Sequence, residues 1–170
     1  AISPNGKQIA FELDGEIFVK QNDKEKSFSN NVSKSDARDQ SPQWISDTEL
    51  VFVSDREGQS ELYLVKSADS LVSLNRSLKL RTTKLTESAE DVSNPSVSPD
   101  LKKIGYQVGR GQYFIAHVKD GFIDAPQLFV YSWTAPSGVS WSPDSKYIAY
   151  SEQDLDFDAE VFIQSSSEPA

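Results

Sequence analysis

Few residues of this sequence could carry out chemistry, and the first to consider is a single histidine. His117 is the only histidine, and cysteine is absent. A Ser-His-Asp triad needs its histidine beside a serine held on a strained turn, but the sequence contains no G-x-S-x-G segment. His117 instead lies in the apolar stretch FIAHV, which favours a structural histidine in a strand. We therefore predict no catalytic residue and no cofactor.

The acidic stretch DLDFDAE could bind a cation. Asp154, Asp156 and Asp158 have the first three spacings of a calcium loop. However, Ala159 stands where that loop needs glycine, and Ser165 stands where it needs glutamate. Zinc would need three carboxylates beside the one histidine, which is an uncommon ligand set. We predict no metal site and interpret the stretch as an acidic hairpin loop, with calcium or the positive end of a peptide as alternatives.

The charge of the chain restricts its partners. The 170 residues include 17 Lys and Arg against 26 Asp and Glu, a formal charge of −9. Such a surface repels phosphate backbones and anionic lipid headgroups, so we expect neither nucleic-acid binding nor membrane insertion. The charge either keeps the domain soluble or suits basic peptides. Because the chain begins at Ala1 and contains no methionine, we expect either an internal segment or a trimmed form of a longer protein.

The elements that position these residues come from one phrase that occurs four times. The copies are ISPNGKQIAF, WISDTELVF, SVSPDLKKIGY and WSPDSKYIAY. Their closing aromatic residues are separated by 41, 54 and 44 residues. Blades of β-propellers repeat at roughly 40–50 residues. The longer middle interval predicts an insertion of about ten residues between the second and third copies.

Each copy predicts a hairpin. Ser-Pro-Asp is turn chemistry, because Pro presets φ and Ser or Asp bonds the local backbone. A short strand follows, then a Gly-bearing turn and a second strand, both apolar on two faces. A small residue mostly precedes the closing aromatic, as Gly105 does, which suggests that blades approach closely there. The repeat positions with a structural role are Pro4, Trp44, Asp47, Pro99, Asp100, Trp141, Pro143 and Asp144.

The predicted fold is all-β, a β-propeller region of about four blades made of four-stranded antiparallel sheets. The predicted blade ranges are 1–37, 38–90, 91–134 and 135–170. The first strands end at Trp44, Val97 and Trp141, and the fourth strands cover 28–32, 79–86 and 127–131. Blade one lacks its first strand and blade four its last. Residues 67–78 form either a short helix or an irregular loop.

The phrase W-S-P-D-S-K-x-I-A-Y, followed by S-D-x-x-G and a strand such as ELYLV, resembles the propeller repeat of tricorn-like serine peptidases. It is similar also to the repeat of the Tol-system periplasmic propeller protein. The segments 38–65 and 139–163 favour the first of these. Two positions depart from the pattern: the turn at Asp47 is one residue short, and Leu101 stands where Gly is usual. The catalytic residues of tricorn-like peptidases lie in domains downstream, and no position here matches their motifs.

The resemblance implies a non-catalytic scaffold that binds or filters peptides or proteins beside further domains of the same parent chain. The candidate contacts are Arg56, Glu57, Asp154, Asp156 and Asp158. The alternative is a stand-alone interaction module of the bacterial envelope, and periplasm or envelope is favoured over cytoplasm. An enzyme whose own loops carry chemistry is disfavoured by the single histidine. Open blade edges also predict self-association, because unpaired strand edges invite pairing with another chain.

Overall fold

Strands account for almost all the regular structure. The computed structural model describes residues 1–24, 27–156 and 158–167. The strands are β1 (Gln8–Leu13), β2 (Glu16–Gln21), β3 (Asn30–Asn31), β4 (Asp39–Trp44), β5 (Glu49–Ser54), β6 (Glu61–Ser67), β7 (Leu80–Lys84), β8 (Val92–Val97), β9 (Lys103–Val108), β10 (Gln112–Lys119), β11 (Phe122–Tyr131), β12 (Ser137–Trp141), β13 (Tyr147–Gln153) and β14 (Ala159–Ser165). Among the described residues the one helical element is a 3-10 turn, Leu74–Arg76. No helix in that part of the chain is long and apolar enough to cross a membrane.

The strands form four antiparallel sheets, each built from consecutive strands. Sheet 1 is β1-β2-β3, sheet 2 is β4 to β7, sheet 3 is β8 to β11, and sheet 4 is β12-β13-β14. The predicted all-β architecture of four sheets is therefore confirmed. Over the described residues, sheet 1 lacks a strand before β1 and sheet 4 a strand after β14, as the repeat predicted. The exact domain limits stay predictions.

The chain divides into two compact units, 1–88 and 89–170. Unit 1 holds sheets 1 and 2, and unit 2 holds sheets 3 and 4. In unit 1 the two sheets share one apolar core, in which Ile17 and Val19 of sheet 1 pack with Trp44 and Phe52 of sheet 2. In unit 2 the corresponding cluster includes Tyr113 of sheet 3 and residues of sheet 4.

The aromatic residue that closes each phrase has a partner directly opposite on the next strand. All four pairs are stacked, with ring planes within 28° of parallel. The pairs and their ring-centre distances are Phe11–Phe18 (5.9 Å), Phe52–Tyr63 (6.2 Å), Tyr106–Phe114 (5.9 Å) and Tyr150–Phe162 (5.6 Å). Such pairs stabilise by about 0.5–1.5 kcal/mol beyond their burial. The closing aromatic residue of each phrase therefore stabilises the pairing of the second strand of the blade with the third.

The structure corrects two predicted details of the strands. β11 begins at Phe122 rather than at residue 127, because Asp120 and Gly121 have φ of 52° and 76° and make a two-residue hairpin turn. The fourth strands β3 and β7 are shorter than the predicted 28–32 and 79–86. For residues 67–78, the structure confirms the second of the two predicted alternatives, an irregular loop, which contains one 3-10 turn and leads into β7.

Gly105 is small for a reason other than the predicted close approach of blades. A methyl group at this position would lie 2.7 Å from Cε1 and 2.8 Å from Cζ of Tyr113. Tyr113 belongs to β10, the neighbouring strand of the same sheet. Glycine therefore makes room for a buried tyrosine within sheet 3.

Candidate functional site

The Ser-Pro-Asp turns share one set of hydrogen bonds. Ser98 Oγ donates to Asp100 Oδ1 at 2.7 Å and accepts the Lys103 N–H at 2.9 Å. Asp100 Oδ1 also accepts the Lys102 N–H at 3.1 Å. The turns that begin at Ser3 and Ser142 repeat these bonds, at 2.6–3.1 Å. Each turn therefore has one lysine at the same backbone position, two residues after the Asp or Asn that accepts its N–H. These lysines are Lys7, Lys102 and Lys146.

Hydrogen bonding keeps the turn aspartates charged. The Ser142 hydroxyl and the Lys146 N–H lower the pKa of Asp144 below its ordinary value. Burial acts to raise the pKa of Asp100, but the Ser98 hydroxyl and the Lys102 N–H outweigh it, so this pKa is lowered as well. These carboxylates therefore act as anchors of their turns.

Sheet 2 has a shorter turn that bonds to its neighbour. Ser46 Oγ accepts the Thr48 N–H at 3.3 Å, so the turn lacks the Asp or Asn side-chain oxygen that bridges the other three. Asp47 Oδ1 instead accepts the Asn5 N–H of sheet 1 at 2.8 Å. Gln8 Nε2 donates to the Asp47 carbonyl at 3.1 Å. These bonds fasten the two turns of unit 1 side by side.

The connection between β6 and β7, residues 68–79, is the insertion predicted from the repeat spacing. Leu74 of its 3-10 turn is fully buried in the core of unit 1. Asn30 Nδ2 donates to the carbonyls of Leu74 and Ser77, at 2.8 Å each. Gln8 Oε1 accepts the Asn75 N–H at 3.2 Å. The insertion is therefore held against the turn end of sheets 1 and 2.

A cavity of about 430 Å³ opens between the insertion and the two turns. Its lining consists of residues 5–8, 21–22, 47–48, 70–73 and 75–76, and we call it the insertion groove. Five side-chain amides, hydroxyl groups and two basic residues, Lys7 and Arg76, line it against one carboxylate, Asp47. A second cavity of about 350 Å³ shares Thr48, Ser70 and Val72 with it and adds Arg81 and the ion pair of Lys66 with Glu49.

The lining of the insertion groove has a positive net charge, although the chain as a whole is acidic. Unit 1 carries 12 basic and 14 acidic residues, whereas unit 2 carries 5 and 12. The charge of −9 is thus concentrated in unit 2, and the lining of the groove has a net charge of +1. Arg76 Nη2 lies 3.5 Å from Gln21 Oε1, at the limit of a hydrogen bond.

Three solved structures share this architecture at low sequence identity. TolB from Acinetobacter baumannii matches at 17% identity with a TM-score of 0.68, over 99% of this chain and 41% of that chain. The tricorn protease matches at 18% identity with a TM-score of 0.69, over 95% and 15%. A puromycin-hydrolyzing peptidase of Mycobacterium tuberculosis matches at 13% identity with a TM-score of 0.73, over 98% and 26%.

The chain has a β-propeller fold. The resemblance of its repeats to tricorn-like and Tol-system propellers is confirmed at the level of fold. No protein-family model and no curated protein matches the sequence. The propeller spans less than half of each of the three chains that it resembles.

Arg56, a predicted peptide contact, lies at the opposite end of the blade-two strands from the insertion groove. Its Nη2 is 3.1 Å from Oδ1 of the fully buried Asp39, and its Nε donates to Ser54 Oγ at 2.9 Å. The guanidinium carbon lies 4.7 Å from the ring centre of Tyr63 and 5.2 Å from that of Phe52. Only 19% of the side chain is exposed. These contacts give Arg56 a role within the propeller, and its role in binding stays a prediction.

Glu57 is the more accessible of the two residues in that hairpin. Its side chain is 57% exposed, and Oε2 lies 3.0 Å from Lys84 Nζ. An exposed pair of this kind contributes little to stability. Glu57 is thus free to exchange its partner, and its predicted contact with a peptide remains a prediction.

The three aspartates of the acidic stretch lie around the β13–β14 hairpin of this propeller. Asp154 Oδ1 accepts the N–H groups of Asp156 and Asp158 at 2.9 Å each. Oδ1 of this exposed carboxylate therefore closes the loop. Within the described residues, which leave out Phe157, no group of three His, Cys, Asp or Glu side chains could hold a metal ion. The contact of these aspartates with a partner likewise stays a prediction.

The insertion groove was not predicted from the sequence, although two signals for it were present. The longer repeat interval located the insertion, and Lys7 has counterparts after the Pro-containing turns of two other blades. The pairing of Lys7 with Arg76 in one cavity depends on the bond between Gln8 and Asn75. Because 67 residues separate these two, a local pattern could not show it.

Proposed function

We propose that this propeller is a non-catalytic domain that binds or filters peptides or proteins within a larger tricorn-like peptidase. The observation that carries the proposal is the insertion groove. Its volume of about 430 Å³ falls in the range of ligand pockets. Gln8 is bonded at both ends within the protein, but each of the other four lining amides has one end without a partner among the described residues, and that end can bond a peptide main chain. Two of the three similar structures are a protease and a peptidase, and the propeller covers 15% and 26% of them.

In this proposal the other parts of the parent chain carry out hydrolysis, and the propeller selects what reaches them. Arg56 is held inside blade two, and Asp154 closes its own hairpin. The groove therefore offers a better contact for a peptide than these predicted residues. Glu57 and Asp158 keep exposed positions at the other hairpin ends of their blades.

A stand-alone interaction module of the bacterial envelope is the second candidate. The match to TolB supports it, because 99% of this chain aligns with 41% of that protein. β14 also presents Val161 and Ile163, which are 76% and 74% exposed. An apolar edge strand suits a folded protein partner that adds a strand.

Binding of unfolded polypeptide separates the two candidates. The purified 170-residue chain is titrated against fluorescein-labelled β-casein, which is unfolded, and against fluorescein-labelled hexapeptides of acidic, neutral and basic composition. A filter binds at least one of these in fluorescence anisotropy, and it leaves a fluorogenic peptide uncleaved. If none of these binds at concentrations up to about 1 mM, the binding free energy is weaker than about −4 kcal/mol, and the filter function is excluded. Cleavage by the isolated chain would instead refute the non-catalytic role.

A further inference from the structure

The insertion groove joins two basic residues that lie far apart in the sequence. Lys7 follows the Ser-Pro-Asn-Gly turn of blade one, and Arg76 ends the 3-10 turn of the insertion. The hydrogen bond from the Asn75 N–H to Gln8 Oε1 joins their chain neighbours at 3.2 Å. Both basic side chains therefore line one cavity from two sides.

The two cations are available to a ligand. In the described part of the chain, Lys7 Nζ has no hydrogen-bond or ion-pair partner. Arg76 has five N–H donors, of which one makes the long contact with Gln21 at 3.5 Å. Asp47, the one carboxylate of the lining, already accepts the Asn5 N–H at 2.8 Å. The lining therefore has two cations against one carboxylate, a surplus of one positive charge.

The groove is also held in place before any ligand arrives. Leu74 is fully buried beneath the insertion, and Asn30 fixes the carbonyls of Leu74 and Ser77. Rigid walls reduce the entropy lost on binding. A planar guanidinium pairs with a carboxylate through two parallel hydrogen bonds, whereas an ammonium acts as a point charge.

We propose that the insertion groove binds a peptide segment through its Asp or Glu side chains. Arg76 pairs with one carboxylate, Lys7 neutralises the same or a neighbouring one, and the amides bond the peptide main chain. This inference rests on the proposed function and adds its specificity. The site prefers acidic segments although the chain as a whole is acidic, because the lining of the groove itself has a net charge of +1.

The test uses three fluorescein-labelled hexapeptides. The first is Gly-Ser-Glu-Glu-Gly-Ser with an amidated C-terminus, the second replaces both Glu by Gln, and the third is the Gln peptide with a free C-terminal carboxylate. We expect the Glu peptide to bind about tenfold more tightly than the amidated Gln peptide. Raising the salt from about 0.05 M to about 0.5 M should remove most of that preference.

Matched variants locate the site. Lys7→Gln and Arg76→Gln should each weaken binding of the Glu peptide about twofold to fivefold and leave the Gln peptide unchanged. The control Lys102→Gln changes the equivalent turn lysine in unit 2, and Arg110→Gln removes an exposed arginine there. Both controls should bind as the unmodified chain does. All four positions are exposed, so thermal unfolding followed by circular dichroism should be unchanged.

The outcomes separate this inference from the function on which it rests. Equal binding of the Glu and Gln peptides, or equal effects of the Lys7 and Lys102 variants, overturns the inference and leaves peptide binding intact. Preference for the free C-terminal carboxylate alone also overturns it, since side-chain carboxylates would then not be the ligand. Absence of binding by any peptide, casein included, overturns the proposed function as well.

Discussion

Replacing Arg56 should destabilise the propeller rather than weaken peptide binding. Arg56→Met keeps an apolar stem against Phe52 and Tyr63 but removes the charge that faces Asp39. Asp39 has no exposed surface, and its remaining side-chain partner is Ser35, whose Oγ donates to Oδ2 at 2.6 Å. Removing one partner of a buried ion pair costs about 3–5 kcal/mol. Because 19% of the Arg56 side chain meets solvent, water can partly replace it, and we expect about 3 kcal/mol.

Equilibrium unfolding in urea, followed by far-ultraviolet circular dichroism and by tryptophan fluorescence, measures this loss. The double variant Asp39→Asn with Arg56→Met tests its cause, since a neutral side chain at 39 no longer needs the guanidinium. It should recover more than half of the lost free energy of unfolding. Arg38→Ala is the control, because that side chain is exposed and the Arg38 N–H keeps its bond to Asp55 at 2.8 Å. Its effect should stay within about 0.5 kcal/mol.

A loss below about 1 kcal/mol for Arg56→Met would refute this reasoning, and so would a double variant no more stable than the single one. Unchanged stability together with lost affinity for every peptide would return Arg56 to the binding role predicted from its Gly-bearing turn.

The remaining predictions concern turns, packing and strand edges. Because hydrogen bonds lower the folded pKa of Asp100 and Asp144, these groups stabilise the fold above pH 3.8, their ordinary pKa, and this contribution disappears as the pH falls through their folded values. The double variant with Asn at both positions should therefore lose less stability in urea between about pH 6 and about pH 2.5 than the unmodified chain does. Gly105→Ala should cost about 1–3 kcal/mol, because its methyl group would overlap the buried ring of Tyr113; no change would mean that the ring can move aside. Light scattering after size exclusion should show concentration-dependent oligomers that Val161→Lys abolishes, and a monomer at every concentration would exclude pairing through β14.

The sequence predicted those parts of the fold that repeat. The first strands of blades two to four end at Trp44, Val97 and Trp141, as the phrases indicated, because a turn signal follows each of them. The Asp-Gly hairpin at Asp120 and Gly121 is a turn signal of the same kind, and it starts β11 at Phe122, five residues before the predicted start. Local turn chemistry is readable because a few adjacent residues determine it.

A recurrent feature of the first strands could not be predicted in this way. β4, β8 and β12 each contain an irregularity at which one residue has positive φ. That residue is Ser41 (φ 56°), Asn94 (φ 49°) and Gly138 (φ 62°) in the three blades. Three different residue types adopt this backbone conformation, so the three strands share no residue that would predict it. Pairing with the second strand imposes the bulge, and pairing is not visible in one strand alone.

The insertion groove could not be predicted for a related reason, because it depends on contacts between residues far apart in the sequence. Its position also explains why a blade can accommodate the insertion. A blade is fixed by its aromatic pair and its turn bonds, which lie within the first three strands. The connection from β6 to β7 takes no part in these, so it can lengthen at little cost in free energy. The added residues need one apolar anchor, and Leu74 provides it, while Leu71 and Leu78 stay 93% and 86% exposed. One buried leucine, together with the hydrogen bonds of Asn30 and Gln8, thus holds a long loop against the turns of two blades, and polar groups of the loop line the groove. Variation in what such a propeller binds can then arise in this connection, because changes there leave the repeated hairpins intact.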